Sequence, residues 1–296
     1  MLPTPLKPGD KLCMIAPSGA LREFEAFQRG VEIWRKRGYV IEPNPTVDKR
    51  WGYLAGTDEH RREQLTEALR DRTCRGILCV RGGYGGARLL ENWVWPESSP
   101  KWLIGFSDIT SLLWRFYQAG VSGVHGPVLT TLAAEPEWSL ARLFDWVEGR
   151  SLEPLQGEGW GGGEVQGTLI PANLTVATHL LGTPVQPNFQ GAILALEDVT
   201  EAPYRIDRQL TQWRMCGAFE GVKGIALGRF SRCESPEGIP SFTIEEVLRD
   251  RLSDLGIPIV SDLPFGHDGV NAALPVGVCA TLNGDTGSLT LSKVAC

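Results

Sequence analysis

A chain of 296 residues exceeds the roughly 100–200 residues of a typical single domain, so one large or two medium domains are expected. Hydrophobic residues make up 42% and charged residues 22%, enough apolar material for a core that needs no disulfide staples. The formal net charge of −6 argues against a general nucleic-acid binder, which needs a basic face to neutralise phosphates.

In chain order, residues 11–16 form a short apolar run that ends in the turn Pro17-Ser18-Gly19. Residues 24–37 carry Phe24, Phe27, Val31 and Trp34 at helical spacing, with Gly38 as a stop. A second strand is expected at 39–42, closed by Pro43 and Pro45. Thr57 reads as an N-cap: Asp58 and Glu59 fill the first turn, and Leu65, Ala68 and Leu69 form a buried stripe. Residues 76–80 make a third strand, followed by Arg81-Gly82-Gly83-Tyr84-Gly85-Gly86. Residues 102–106 make a fourth, running straight into a helix from Asp108. Strands alternating with helices predict βαβ units and a mostly parallel sheet.

Glycine then thickens between 149 and 167, which reads as an interdomain linker over 151–167 between domains at 1–150 and 168–296. Beyond it, helices are expected at 173–181, 205–216 and 244–255, with strands at 192–196 and 225–227. Asn283-Gly284-Asp285 between two apolar runs predicts a terminal hairpin. Seven cysteines without a Cys-x-x-Cys pair read as reduced core thiols. No signal-peptide pattern opens the chain, and no apolar run approaches the roughly 20 residues that span a bilayer. A cytoplasmic protein without membrane or nucleic-acid partners is therefore expected.

The residues that carry chemistry cluster at strand ends. Ser107 stands between an apolar strand and a helix whose Ile109, Leu112, Leu113, Phe116 and Tyr117 share one face. That context is similar to a nucleophile elbow, although Ile109 replaces the second glycine of Gly-x-Ser-x-Gly. A plain N-cap is the competing role for this serine. The glycine loop 82–86 lies one βα unit earlier, at the same carboxyl edge, and lacks both dinucleotide and P-loop spacing. Beside an elbow serine, the N–H groups of Gly83 and Asp108 could form an oxyanion hole.

Of four histidines, His60 reads as solvated and His179 as a core residue on an apolar helix. His125 sits in a turn, where it could be structural or line the site. His267, in the loop Gly266-His267-Asp268-Gly269, is the best base candidate. Glu197 and Asp198 end a buried strand on opposite faces. Either could orient the imidazole. No spacing supports a metal site, and no cofactor is expected.

Taken together, Tyr53-Leu54-Ala55-Gly56-Thr57-Asp58, Arg81-Gly82-Gly83-Tyr84-Gly85, Ile104-Gly105-Phe106-Ser107-Asp108 and His125-Gly126-Pro127 resemble the motifs of the LD-carboxypeptidase family. Leu181-Gly182-Thr183-Pro184, Leu196-Glu197-Asp198-Val199 and Gly266-His267-Asp268-Gly269-Val270-Asn271 continue the likeness over nearly the whole chain. The resemblance implies an α/β fold: a flavodoxin-like N-terminal domain with a mostly parallel sheet, plus a smaller C-terminal α/β domain. It implies a Ser107–Glu197–His267 triad split between the two domains, which selects Glu197 over Asp198. A homodimer that removes D-alanine from murein tetrapeptides during cell-wall recycling is the implied activity. Arg81 and Arg205 are candidates for holding the substrate carboxylate. Pro171-Ala172 stands where members often carry glycines, which leaves the shape of that loop and the choice of substrate open. A related self-immunity hydrolase acting on a peptide–nucleotide antibiotic is the alternative, with Trp160 as a platform for the base. An anion-binding flavodoxin-like protein without catalysis is a third reading.

Overall fold

The computed structural model describes residues 1–236, 238–293 and 296. Its contacts divide the chain into two compact units, Met1–Ser151 with Ala273–Val276, and Leu152–Ala272 with Gly277–Cys296.

The first unit runs β1 (Lys11–Ile15), α1 (Phe24–Lys36), β2 (Val40–Glu42), α2 (Asp58–Arg70), β3 (Cys74–Cys79), β4 (Trp102–Gly105), α3 (Thr110–Gln118), β5 (Val124–His125), α4 (Leu129–Leu132) and α5 (Glu137–Val147). The strands pair in parallel in the order β2-β1-β3-β4-β5, the flavodoxin-like order. Ile77, Leu78, Leu103 and Ile104 are all at most 2% exposed, as a parallel sheet covered on both faces requires. Leu65 and Leu69 of α2 pack into one core with Leu112, Leu113 and Phe116 of α3. Thr57 caps α2, its side chain accepting the His60 N–H at 3.2 Å. This arrangement sends the loops after β1, β3 and β4 to a single carboxyl edge, and strand order reverses between β1 and β3.

In the second unit, β6 (Leu155–Gln156), β7 (Glu158–Gly159), β8 (Glu164–Asn173), α6 (Leu174–Leu180), β9 (Ala192–Val199), α7 (Pro203–Met215), β10 (Gly224–Ser231), α8 (Ile244–Leu252) and β11 (Ile259–Ser261) follow in turn. The chain then supplies β12 (Leu274–Pro275), which pairs antiparallel with β5 at the edge of the first sheet. It finishes with the predicted hairpin, β13 (Cys279–Asn283) and β14 (Ser288–Ser292). The second sheet has the order β6-β14-β13-β8-β9-β10-β11-β7. Its centre, β8 to β11, is parallel, and antiparallel strands flank it. Among the described residues, no helix is long and apolar enough to cross a membrane.

Three expectations are corrected. Residues 151–167 do not hang free as a linker: they supply β6, β7 and the start of β8. The glycines serve close backbone approach, because a Cβ on Gly157 or Gly159 would run into the carbonyl oxygen of Ser261 or Gly284. The Gly157 and Gly161 N–H groups donate to the Gly287 and Gly284 carbonyls, each at 2.8 Å. The cysteines are not all free, since Cys279 is bonded to Cys296. His179 is exposed on α6, its Nδ1 2.6 Å from the Thr175 carbonyl oxygen, rather than in a core.

Candidate active site

On the first unit, β4 delivers its chain to Ser107 at the carboxyl edge. Ser107 adopts φ = +64°, a left-handed conformation that costs a non-glycine residue on the order of 1 kcal/mol or more. A tight 3-10 turn over Ser107–Ile109 then leads into α3, and the serine supplies no side-chain cap to either. The N-cap role is therefore excluded. What remains is an elbow that presents a half-buried hydroxyl at a helix entrance.

The loop after β3 lies against this serine. A Cβ on Gly82 would stand 3.1 Å from Ser107 Cβ and 3.2 Å from its Oγ, so only glycine leaves the hydroxyl room. Gly83 has φ = +112°, and the Gly19 N–H donates to the Gly82 carbonyl at 3.1 Å, tying the loops after β1 and β3 together. The N–H groups of Gly83 and Asp108 have no acceptor among the described residues. Both remain available to an incoming oxygen.

The Asp108 side chain has a role of its own that the sequence does not announce. It is buried, and its Oδ2 accepts the Ser18 hydroxyl at 2.5 Å and the Gly86 N–H at 2.7 Å. Burial pushes this carboxyl above its usual range, while those hydrogen bonds pull the other way. The buried Arg61 guanidinium reinforces the clamp by donating to the carbonyls of Pro17 and Gly85. Three loops are thus locked around Ser107 by two buried charged side chains. Arg81, on the same glycine loop, forms an ion pair with Glu23 at 3.1 Å.

The second unit holds the other candidates. Near its end β9 carries Glu197, which is 0% exposed, and Glu197 Oε2 lies 2.6 Å from His267 Nδ1. A carboxylate can only accept, so Nδ1 carries the proton in this pair and the role of base falls to Nε2. The histidine loop is anchored from both sides. The Gly266 N–H donates to Asn271 Oδ1 at 3.2 Å, and the Arg229 N–H donates to the Phe265 carbonyl at 2.8 Å. Gly266 has φ = +136°, and a Cβ there would sit 3.0 Å from the Arg229 carbonyl oxygen. Gly266→Ala is expected to cost about 1–3 kcal/mol of stability and to misplace His267. A thermal melt read beside turnover checks this.

A cleft of about 790 Å³ opens beside His267, lined among others by Trp160, Arg229, Glu234, Ser261 and Asp268. Trp160 donates its indole N–H to Ser261 Oγ at 2.8 Å, and the Arg249 guanidinium lies 4.5 Å from its ring centre. Arg205, on the first turn of α7, is paired with Glu201 at 3.4 Å. The remaining histidines stand elsewhere. His125 is buried on β5 with its ring centre 5.9 Å from that of Phe106. His60, expected in solvent, is half-buried with Nε2 2.9 Å from Gln64 Nε2, and burial lowers its pKa.

Comparison with known proteins decides the family. Residues 13–126 match the LD-carboxypeptidase N-terminal domain, and residues 166–282 match the LD-carboxypeptidase C-terminal domain. The chain belongs to the LD-carboxypeptidase family. It is therefore a peptidase. The "Putative carboxypeptidase slr1534" of Synechocystis sp. is 58% identical over 97% of this chain and 96% of its own length. The murein tetrapeptide carboxypeptidase of Pseudomonas aeruginosa is 34% identical over 93% of this chain and 94% of its own. Among solved structures of the fold, MccF in complex with glutamyl sulfamoyl guanosine matches with a TM-score of 0.86 at 21% identity, covering 99% of this chain and 98% of that one.

Proposed function

We propose that this peptidase is a serine carboxypeptidase that hydrolyses the L,D peptide bond before the terminal D-alanine of murein tetrapeptides. The observation that carries the reading is the 2.6 Å pair between buried Glu197 and His267, the orienter and base that a nucleophilic serine needs. The strained elbow at Ser107 supports it from the other unit.

In this reading, His267 Nε2 takes the Ser107 proton as Oγ attacks the carbonyl carbon preceding D-alanine. Glu197 holds the Nδ1–H and stabilises the imidazolium. The Gly83 and Asp108 N–H groups receive the oxyanion. The imidazolium then protonates the departing amine, D-alanine leaves, and an acyl-enzyme ester remains on Ser107. Water, deprotonated by His267, attacks that ester, and the imidazolium hands that same proton to Ser107 Oγ as the ester breaks and the shortened peptide leaves as its carboxylic acid. Of the two arginines suggested for the substrate carboxylate, Arg81 shares the glycine loop with Gly82 and Gly83, which favours it over Arg205. A cytoplasmic homodimer serving cell-wall recycling completes the proposal.

The test is release of D-alanine from a murein tetrapeptide. Release at rates of about 1–10³ per second supports the reading, and none at any tetrapeptide concentration overturns it. The nucleotide-antibiotic alternative has one observation in its favour, because Trp160 lines the cleft beside His267. Under the murein reading, Trp160→Ala retains D-alanine release within about tenfold, and a peptidyl sulfamoyl nucleoside is cleaved far more slowly than tetrapeptide. The reverse ranking would favour the alternative.

A further inference from the structure

Resting on the triad reading above, we propose that Asp198 is a positioning residue for catalysis: through Asn173 it fixes the Glu197 carboxylate in the orientation that His267 needs. Adjacent acids at the end of a strand would ordinarily diverge, yet one amide bridges these two. Asn173 Nδ2 donates to Glu197 Oε1 and to Asp198 Oδ1, each at 3.2 Å. The amide cannot turn over, because its Oδ1 caps α6 by accepting the Val176 N–H at 3.0 Å. Both amide protons are thereby committed to carboxylates, leaving Glu197 Oε2 for His267.

Asp198 is itself held by donors. Oδ1 also accepts the Val199 N–H at 2.7 Å, and Oδ2 accepts the Thr175 N–H and hydroxyl, both at 2.8 Å. Gln209 Nε2 donates to Thr175 Oγ1 at 2.9 Å, so the Thr175 proton points to Asp198. Four donors and no acceptor define a seat for the ionised form. The seat is nonetheless buried and stands beside a second carboxylate. Burial first, then the Glu197 charge, push the Asp198 carboxyl up to about 6, against the hydrogen bonds from Thr175 and Val199.

Among the described residues, no Lys or Arg forms an ion pair with Asp198 to offset this. β8 and α6 present the uncharged Asn173 and Thr175, and α7 presents Gln209. His179 of α6 is exposed, with its Nδ1 2.6 Å from the Thr175 carbonyl oxygen. β10 sets Phe230 in register with Asp198. Beyond it the Cys233 thiol, pushed up to about 12 mainly by burial, stays neutral across the working range. β9 itself contributes Glu197, and His267 stands behind it. Protonating Asp198 sets a fifth hydrogen against the four donors of the seat and weakens the anchor on Asn173. Activity is therefore expected to need ionised Asp198 and to fall as pH drops through about 6.

The experiment measures kcat/KM for D-alanine release against pH in the wild type, Asp198→Asn and Thr175→Val, with labelling of Ser107 by a fluorophosphonate probe in each. The wild-type acid limb includes protonation of Asp198, so it should be steeper than in a variant that lacks this carboxyl. Asp198→Asn should lower kcat about 10²-fold with little change in KM, and make the acid limb shallower than in the wild type. Thr175→Val removes one hydrogen bond to the charged form and should move the limb to higher pH by about one pH unit. If Asp198→Asn does not fold, Thr175→Val decides alone. Profiles of both variants that superimpose on the wild type overturn the inference, as does an acid limb that is as steep in Asp198→Asn as in the wild type. Should Ser107→Ala remain active, the triad reading fails instead; an inactive Ser107→Ala beside unmoved Asp198→Asn and Thr175→Val profiles removes only the positioning role.

Discussion

Ser107→Ala is expected to lower turnover of murein tetrapeptide by about 10⁴–10⁶-fold while leaving the fold and substrate binding intact. The size follows from what is lost. Without Oγ there is no acyl-enzyme, and only the oxyanion donors and binding remain, which in serine peptidases leave roughly 10³–10⁴-fold catalysis over water. The fold should survive because the clamp around the elbow does not use the hydroxyl: Ser18, Gly86 and Arg61 are held by Asp108 and by backbone carbonyls. Alanine inherits the strain of φ = +64° that serine already bears. Equal thermal stability with turnover lowered about 10⁴–10⁶-fold is the expected pair of readings. Turnover within tenfold of the wild type would remove Ser107 from the mechanism.

Glu197→Gln is expected to cost about 10⁴-fold, the second largest effect. Glu197 accepts on both oxygens, from Asn173 at Oε1 and from His267 at Oε2. A glutamine amide offers one acceptor and one donor group, and Asn173 is pinned by its cap on α6. The glutamine NH₂ must therefore face His267 and force the wrong tautomer, with Nε2 carrying the proton where a base is needed. Because the three side chains act as a unit, Glu197→Gln added to His267→Ala should cost little more than His267→Ala alone. Measured kcat for the two single variants and the double variant tests this, and additive losses would show that Glu197 acts independently of the imidazole.

Much of this was legible along the chain, for identifiable reasons. The elbow could be read because an apolar strand meets an amphipathic helix at Ser107, a pattern that periodicity reports directly. The flavodoxin-like order of the first sheet follows from alternating strand and helix signals together with the family resemblance. Contacts between distant backbones could not be read. The glycines at 157 and 159 look like a flexible linker until the 284–287 turn is laid against them. The Cys279–Cys296 bond joins residues whose spacing carries no motif. Asp108 was singled out for its N–H, whereas its buried carboxylate clamps three loops, a role that depends on Ser18 lying 90 residues away. Asp198 was half legible: alternation allowed one acid to orient and the other to cap. Asn173, reaching back from the neighbouring strand to bind both, was invisible because only parallel pairing of β8 with β9 brings it there.

The account's central claim is that Ser107 becomes a nucleophile because His267, oriented by Glu197, takes its proton. The most direct measurement is mass spectrometry of the intact protein and its peptides after reaction with a fluorophosphonate probe, in the wild type and in His267→Ala. A single adduct on Ser107 in the wild type, formed at least about 10³-fold more slowly in His267→Ala, is the predicted result. Labelling of Ser107 at an undiminished rate without the imidazole, or an adduct on another residue alone, would contradict it.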